Sequence, residues 1–441
     1  MNTYNREILK IAIPSIVSNI TVPLLGLVDT TIVGHLGAAS YIGAIAVGGM
    51  LFNLIYWIFG FLRMGTSGMT SQAYGKKDEA ETMRILARSI GLGMLIALAL
   101  IVLQYPIERI AFLFIKATPE VERLASIYFR LCIWGAPAVL GLYSISGWCI
   151  GMQNSRFPMY VAITQNIVNI LVSLLLVYGF GMKIEGVAIG TLVAQYAGFL
   201  MAIGLWASHF KRLLPYAQLH TLLAQGAIRR FFQVNRDIFL RTLCLVAVTM
   251  YFTSAGASQG DVILAVNTLL MHFFTFFSYI MDGFAYSGEA LAGKYIGANN
   301  RPALQQMVRQ LFIWGIGLAL ASTLIYGIGG ETFLELITNE QNVIASSSTY
   351  FYWVLAIPLA GFAAFLYDGI FIGATATNLM LRAMAIASAA FFGIYFGCKE
   401  ALGNHALWMA FITYLLLRGI IQGYYYHCHS ERSEESRKRP H

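Results

Sequence analysis

Charge is scarce in this sequence: Asp, Glu, Lys and Arg make up only 11% of its 441 residues, against about a quarter in an ordinary soluble domain. Hydrophobic residues reach 58% and the mean hydropathy is +0.66, which together exclude a soluble globule. Cysteine is sparse and badly spaced for chemistry. Cys132, Cys149, Cys244, Cys398 and Cys428 are odd in number and form no C-x-x-C pair, so neither a disulfide framework nor a cysteine zinc site is expected. His427, Cys428 and His429 are three neighbours in a polar tail and do not make a metal site. No D-D-x-x-D or H-E-x-x-H arrangement occurs, so a polytopic acyl- or prenyltransferase lacks its acidic or histidine motif and no enzyme is expected. The net charge of +8 does not point to nucleic acid, because the basic residues sit in loops between apolar segments.

What the chain has instead is long, continuous apolar runs. A closed β-barrel would show short alternating segments, so helices are the spanning choice. Twelve spans of about 22 residues would use roughly 264 residues and leave short loops. They are expected near 8–33, 42–63, 83–104, 125–149, 158–180, 186–208, 237–257, 262–287, 304–327, 346–370, 379–397 and 406–426. Arg6 and Lys10 precede a first run too long for a cleaved signal, which reads as a retained span. With the N-terminus inside, only Arg109, Lys116, Arg123, Arg130, Lys183 and Lys399 of the 29 Lys and Arg fall outside. That asymmetry places both termini in the cytoplasm and the protein in a bacterial inner membrane.

The fold class expected is therefore an all-α polytopic membrane protein with twelve transmembrane helices in two pseudo-symmetric six-helix lobes. Residues 1–208 form the first lobe, the basic stretch 209–236 a cytoplasmic linker, 237–426 the second lobe and 427–441 a polar tail left without assigned structure. A shift of 222 residues lays Gly75 on Gly297, Tyr128 on Tyr350, and Gly147 and Gly151 on Gly369 and Gly373. Six is even, so both halves enter the membrane in the same direction and their symmetry axis runs along the membrane normal.

Nearly all of the 21 acidic residues fall in loops or tails. Asp29, Asp282 and Asp368 lie well inside spans and Glu289 at a span end, and each needs a reason, since an ionisable group at the bilayer centre costs on the order of 2.5 to 3.5 kcal/mol on insertion scales. Asp29 falls in the outer part of the first span. Asn166, Asn169 and Ser173 make a polar stripe on the fifth, Thr191 lies near the start of the sixth, and Tyr128 opens the fourth. These groups can share one depth. A carboxylate there can take up a proton, and the surrounding oxygens can ligate a small hard cation, so proton and sodium both stay open. The alternative is that these side chains simply satisfy one another between helices. On the eighth span Thr275, Tyr279, Asp282, Tyr286 and Glu289 share a face toward a second-lobe cavity, with Asp368 on the tenth either joining it or capping the following turn. Pro14 and Pro23 interrupt the first span, and bending there can couple to Asp29. The many Phe, Tyr and Met suit an adaptable cavity for flat cations.

The segments LVDTTIVGHLG (27–37), QNIVNILVS (165–173), NRDIFLRTLC (235–244), DGFAYSGEALAGKYIGA (282–298) and DGIFIGAT (368–375) together resemble the multidrug and toxic compound extrusion (MATE) transporters, specifically the DinF-like branch. The resemblance covers roughly residues 5–425. It implies two six-helix lobes around a V-shaped cavity, and export of small organic cations or amphipathic molecules across the lipid membrane in exchange for protons or sodium. It further implies that Asp29 is the family's first-helix aspartate, Asn169 and Thr191 its polar partners, and Pro14 a helix hinge. Where many relatives carry an aspartate four residues after that asparagine, this chain has Ser173. With one acid, a neutral bound state needs one proton or one monovalent cation, and proton coupling is the expectation. No other cofactor is expected, and a monomer suffices. A lipid-linked glycan flippase of the same broad superfamily is the rival, but it should line its cavity with more cationic residues.

Overall fold

The computed structural model describes residues 3–34, 39–115, 117–218, 222, 224–337 and 340–438. His35, Leu36 and Gly37 of the first motif, Lys116, the side chain of His429 and the last three residues of the tail lie outside them. The described residues are helical with no strand. Among the described residues twelve helices are long and apolar enough to cross a membrane: Thr3–Ile32, Ala39–Gly75, Glu79–Val102, Pro119–Gly151, Arg156–Gly179, Ile184–Tyr216, Gly226–Ala257, Asp261–Gly297, Arg301–Glu335, Gln341–Gly373, Thr377–Leu402 and Asn404–Cys428. They are the first to twelfth spans below.

Most run further than hydropathy alone indicates. The eighth is one helix of 37 residues, roughly 55 Å at 1.5 Å per residue, while the hydrocarbon core is about 30 Å thick. The excess turns, Gly288 to Gly297, carry Glu289 and Lys294 among small and apolar residues and are largely buried. The last helix continues to Lys438, into the tail that the sequence leaves without structure. Part of the basic stretch 209–236 is helical too, since Lys211–Tyr216 forms a 3-10 helix and a long helix starts at Gln225.

The chain parts into two compact units, Ile13–Asn235 and, together, Met1–Ala12 with Arg236–His441. Each unit thus includes the opening turns of a helix that continues in the other. In the second unit Lys294 donates to Glu7 across 2.9 Å, Tyr295 also donates to Glu7, and Ser287 donates to the carbonyl of Ile8 across 2.9 Å.

The 222-residue repeat is built into the backbone. The second, third and fourth spans start at 39, 79 and 119, and the eighth, ninth and tenth at 261, 301 and 341. Among the described residues four non-glycine residues have positive φ, and they form two pairs at that same shift: Lys77 (59°) with Asn299 (53°), and Gln153 (65°) with Thr375 (52°). Each follows a helix whose end is closed by an amide reaching back five residues: Asp78 to Ala73, Asn300 to Tyr295, Asn154 to Cys149 and Ala376 to Phe371, at 2.8–3.0 Å.

Close helix approach repeats as well. A Cβ on Gly147 would collide with the backbone of Arg63, and one on Gly369 with the backbone of Ala285, which is Arg63 shifted by 222. Small residues let these helix pairs touch, which matters in lipid, where packing rather than the hydrophobic effect holds helices together. Buried polar pairs add to it. Thr66, Ser89 and Ser144 chain their hydroxyls at 2.6 and 2.8 Å in the first unit, and Asn267, Asn404 and Trp408 bond side chain to side chain in the second.

Candidate functional site

Gly190 opens the sixth span to its neighbour: a Cβ there would stand only 3.0 Å from the backbone nitrogen of Ser173. That approach sets the fifth span against Thr191. Asn169 Nδ2 donates to Thr191 Oγ1 across 3.0 Å, and Thr191 Oγ1 donates to Asp29 Oδ2 across 3.3 Å, which is long for an O–H···O bond. Tyr128 completes the group. Its ring fills the space above Gly48, and its hydroxyl has Cys132, Asp29 and Thr191 as neighbours. Just beyond Ser173 the fifth span passes into a π-helical turn, Leu175–Gly179, the kind of irregularity that favours functional positions.

The group is sealed and rich in acceptors. Asp29 is 4% exposed, and Asn169 and Ser173 are fully buried. Asp29 Oδ1, Asn169 Oδ1 and Ser173 Oγ have no hydrogen-bond partner among the described residues. The polar neighbours of Asp29 include Thr191, Asn169 and Tyr128, and among the described residues no cationic side chain pairs with it. A buried carboxylate without a counter-charge is costly, and a proton or a small oxygen-seeking cation would remove that cost.

Other expected members fall elsewhere. Asn166 does not join the cluster: its side chain is half-buried and donates to the carbonyl of Ala162 on its own helix across 2.9 Å. Pro14 lies inside the continuous helix Thr3–Gly34 and has no N–H to return to the preceding turn. The division between units falls beside it, at Ala12 and Ile13. On the eighth span Tyr279 and Asp282 are electrostatic neighbours, Tyr286 is half-buried, and Glu289 is 1% exposed with Gly373 packed on its backbone.

Asp368 differs from the expectation. It does not cap the next turn, where backbone amides do the closing. It is enclosed between Arg241, which donates to Oδ2, Arg418, which donates to Oδ2 across 2.6 Å, and Gln422, which donates to Oδ1 across 2.6 Å. The reason is electrostatic, since a buried carboxylate with two guanidiniums in reach pairs with them. Arg241 and Arg418 are 6% and 2% exposed, although sequence reasoning groups them with loop charge on the cytoplasmic side. The signal was available in the sequence: Arg418 and Gln422 stand one helical turn apart within an apolar run.

The repeat shows that the acidic cluster occurs once. Shifted by 222, Asp29, Asn169 and Ser173 become Tyr251, Phe391 and Tyr395, whose rings pack on Tyr251 with centroids 6.4 and 5.7 Å away. Conversely Arg241, Asp368 and Arg418 correspond to Asn19, Ser146 and Tyr196.

Comparison with known proteins agrees with this architecture. The model of the MatE family matches residues 14–175 and 238–397, two segments that end 222 residues apart. The chain belongs to the MatE family. It is 35% identical to DNA damage-inducible protein F of Escherichia coli, over 95% of this chain and 91% of that protein. It is 23% identical to Protein DETOXIFICATION 44, chloroplastic, of Arabidopsis thaliana, over 93% and 80%. Among solved structures, a MATE protein in the bent conformation matches with a TM-score of 0.86 at 17% identity, over 99% of this chain and 97% of that one. An outward-facing multidrug resistance MATE transporter of the MOP superfamily matches with a TM-score of 0.82 at 16% identity, over 98% and 97%. This MatE member is thus an integral membrane protein with twelve apolar helices, related to transporters rather than to enzymes.

Proposed function

We propose that this MatE protein is a secondary active antiporter that exports cationic or amphipathic organic compounds in exchange for protons, by alternating access, with Asp29 as the coupling group. One observation carries the reading: Asp29 is buried with one carboxylate oxygen on Thr191 and the other without a donor, and no cation pairs with it among the described residues. Uptake of a proton or a small cation would neutralise such a group. If drug and proton favour opposite conformations, binding of one releases the other. In this reading the protein works as a monomer in a bacterial inner membrane, with both termini in the cytoplasm, the side that the distribution of Lys and Arg supports. A multidrug resistance transporter among its structural relatives supports the cargo class.

Sodium is a second reading, favoured by a specific observation: Asp29 Oδ1, Asn169 Oδ1 and Ser173 Oγ are three oxygens of the kind a hard cation prefers, and all three lack donors among the described residues. Exchange of one proton or one sodium ion for one monovalent cation moves no net charge, so a chemical gradient alone drives it, at about 1.4 kcal/mol per tenfold. The test is efflux of a fluorescent cation from proteoliposomes under a pH gradient and then under a sodium gradient. Proton coupling predicts efflux in the first case, and loss of it in Asp29→Asn with the protein still folded. Efflux under the sodium gradient alone would favour the second reading.

A further inference from the structure

Where the second span ends and the third begins, within the unit Ile13–Asn235, lies an open pocket of about 90 Å³. Its wall is apolar, made by Met69, Ala73, Ile85 and Ala227. Its mouth carries Lys76, Arg88 and Arg230, with Asp78 and Glu81 beside them. Both carboxylates are engaged: Glu81 Oε1 accepts from Arg88 across 2.8 Å, and Asp78 Oδ1 caps the third span by accepting from the amide of Glu81 across 2.9 Å. The lining, which also includes Gln72 accepting from Arg230 across 3.0 Å, therefore carries one positive charge in excess.

The fold does not require this opening. At the repeat-related corner of the other unit, Tyr295 stands in place of Ala73 and Ile8 in place of Arg230. Tyr295 is nearly buried with its hydroxyl on Glu7 and its ring against Tyr4, and Ile8 is fully buried. One copy of the corner is filled by side chains, and the other is left open and cationic.

We infer that this pocket binds the head group and upper chain of an anionic phospholipid, with the phosphodiester held by Lys76 and Arg230 and the glycerol and acyl carbons against Met69, Ala73 and Ile85. Charge complementarity selects a ligand carrying one net negative charge. The apolar wall selects a lipid over free phosphate, which would leave that wall unused. The position, where membrane-crossing helices end, is where head groups lie.

Native mass spectrometry of the full chain tests this, with phosphatidylglycerol and phosphatidylcholine offered in equal amounts. The wild type should retain phosphatidylglycerol at least about tenfold over phosphatidylcholine, and the pair Lys76→Gln with Arg230→Gln should erase that preference, while Lys211→Gln, an exposed change outside the pocket, should keep it. Ala73→Tyr, which copies the filled corner without changing charge, should block retention. If that variant fails to fold, the charge pair still decides. Undiminished phosphatidylglycerol retention in the double variant, equal retention of both lipids by the wild type, or displacement of the lipid by millimolar inorganic phosphate would each overturn the inference.

Discussion

Thr191 gives its only hydroxyl hydrogen to Asp29 Oδ2, across 3.3 Å, while accepting from Asn169 Nδ2 across 3.0 Å. It bridges the carboxylate on the first span and the amide on the fifth. Thr191→Val keeps the shape and removes the link. Hydrogen bonds to charged groups contribute about 1.5 to 3 kcal/mol, and this one holds the ionised carboxylate, so without it the proton is released less readily and transport should fall roughly tenfold or more, whereas Thr191→Ser should stay near wild type. Initial efflux rates from proteoliposomes measure this, and a fully active valine variant would remove Thr191 from the site.

Asp368 should behave in the opposite way to Asp29. Asp368→Asn leaves Arg241 and Arg418 buried without a carboxylate, a loss on the order of 3 to 5 kcal/mol. Adding Arg418→Met restores the original excess of one positive charge and should recover part of that loss. Asp29→Asn removes a buried charge that has no cationic partner, so its unfolding temperature should equal or exceed that of the wild type. Thermal unfolding in one detergent compares all three variants. An Asp368→Asn protein as stable as the wild type would refute the role of the paired guanidiniums.

The glycines offer an independent test of the repeat. Gly147→Ala and Gly369→Ala should each cost about 1 to 3 kcal/mol, because the added carbon meets the backbone of Arg63 or Ala285, which cannot turn aside as a side chain could. Gly204→Ala meets nothing within 4 Å and should be neutral or slightly stabilising. Equal effects at all three positions, read by thermal unfolding, would mean that the close helix contacts carry no weight.

Much of this was legible in the sequence, for identifiable reasons. Asp29, Asn169 and Thr191 stand out because polar groups in apolar runs demand partners. Periodicity could not separate Asn169 from Asn166, since three residues on a helix keep both on one broad face; a bond to the carbonyl of Ala162 turns Asn166 back onto its own helix. Arg241 and Arg418 were hidden by position, as a charge near the end of an apolar run reads as loop charge until long-range packing buries it. The glycine matches at 222 residues were visible, but the paired positive-φ residues Lys77 with Asn299 and Gln153 with Thr375 were not, because none of the four is glycine. Helix ends were underestimated where a charge such as Glu289 or Lys294 interrupts the apolar run while the helix continues, as in Asp261–Gly297.

The most direct test counts protons. A fluorescent organic cation is added to the purified protein in weakly buffered solution, and proton release is followed with a pH indicator. If Asp29 exchanges its proton for cargo, the wild type should release about one proton per cation bound, and Asp29→Asn should bind the cation and release none. Binding by the wild type without proton release, or equal release by Asp29→Asn, would contradict the coupling role of that carboxylate.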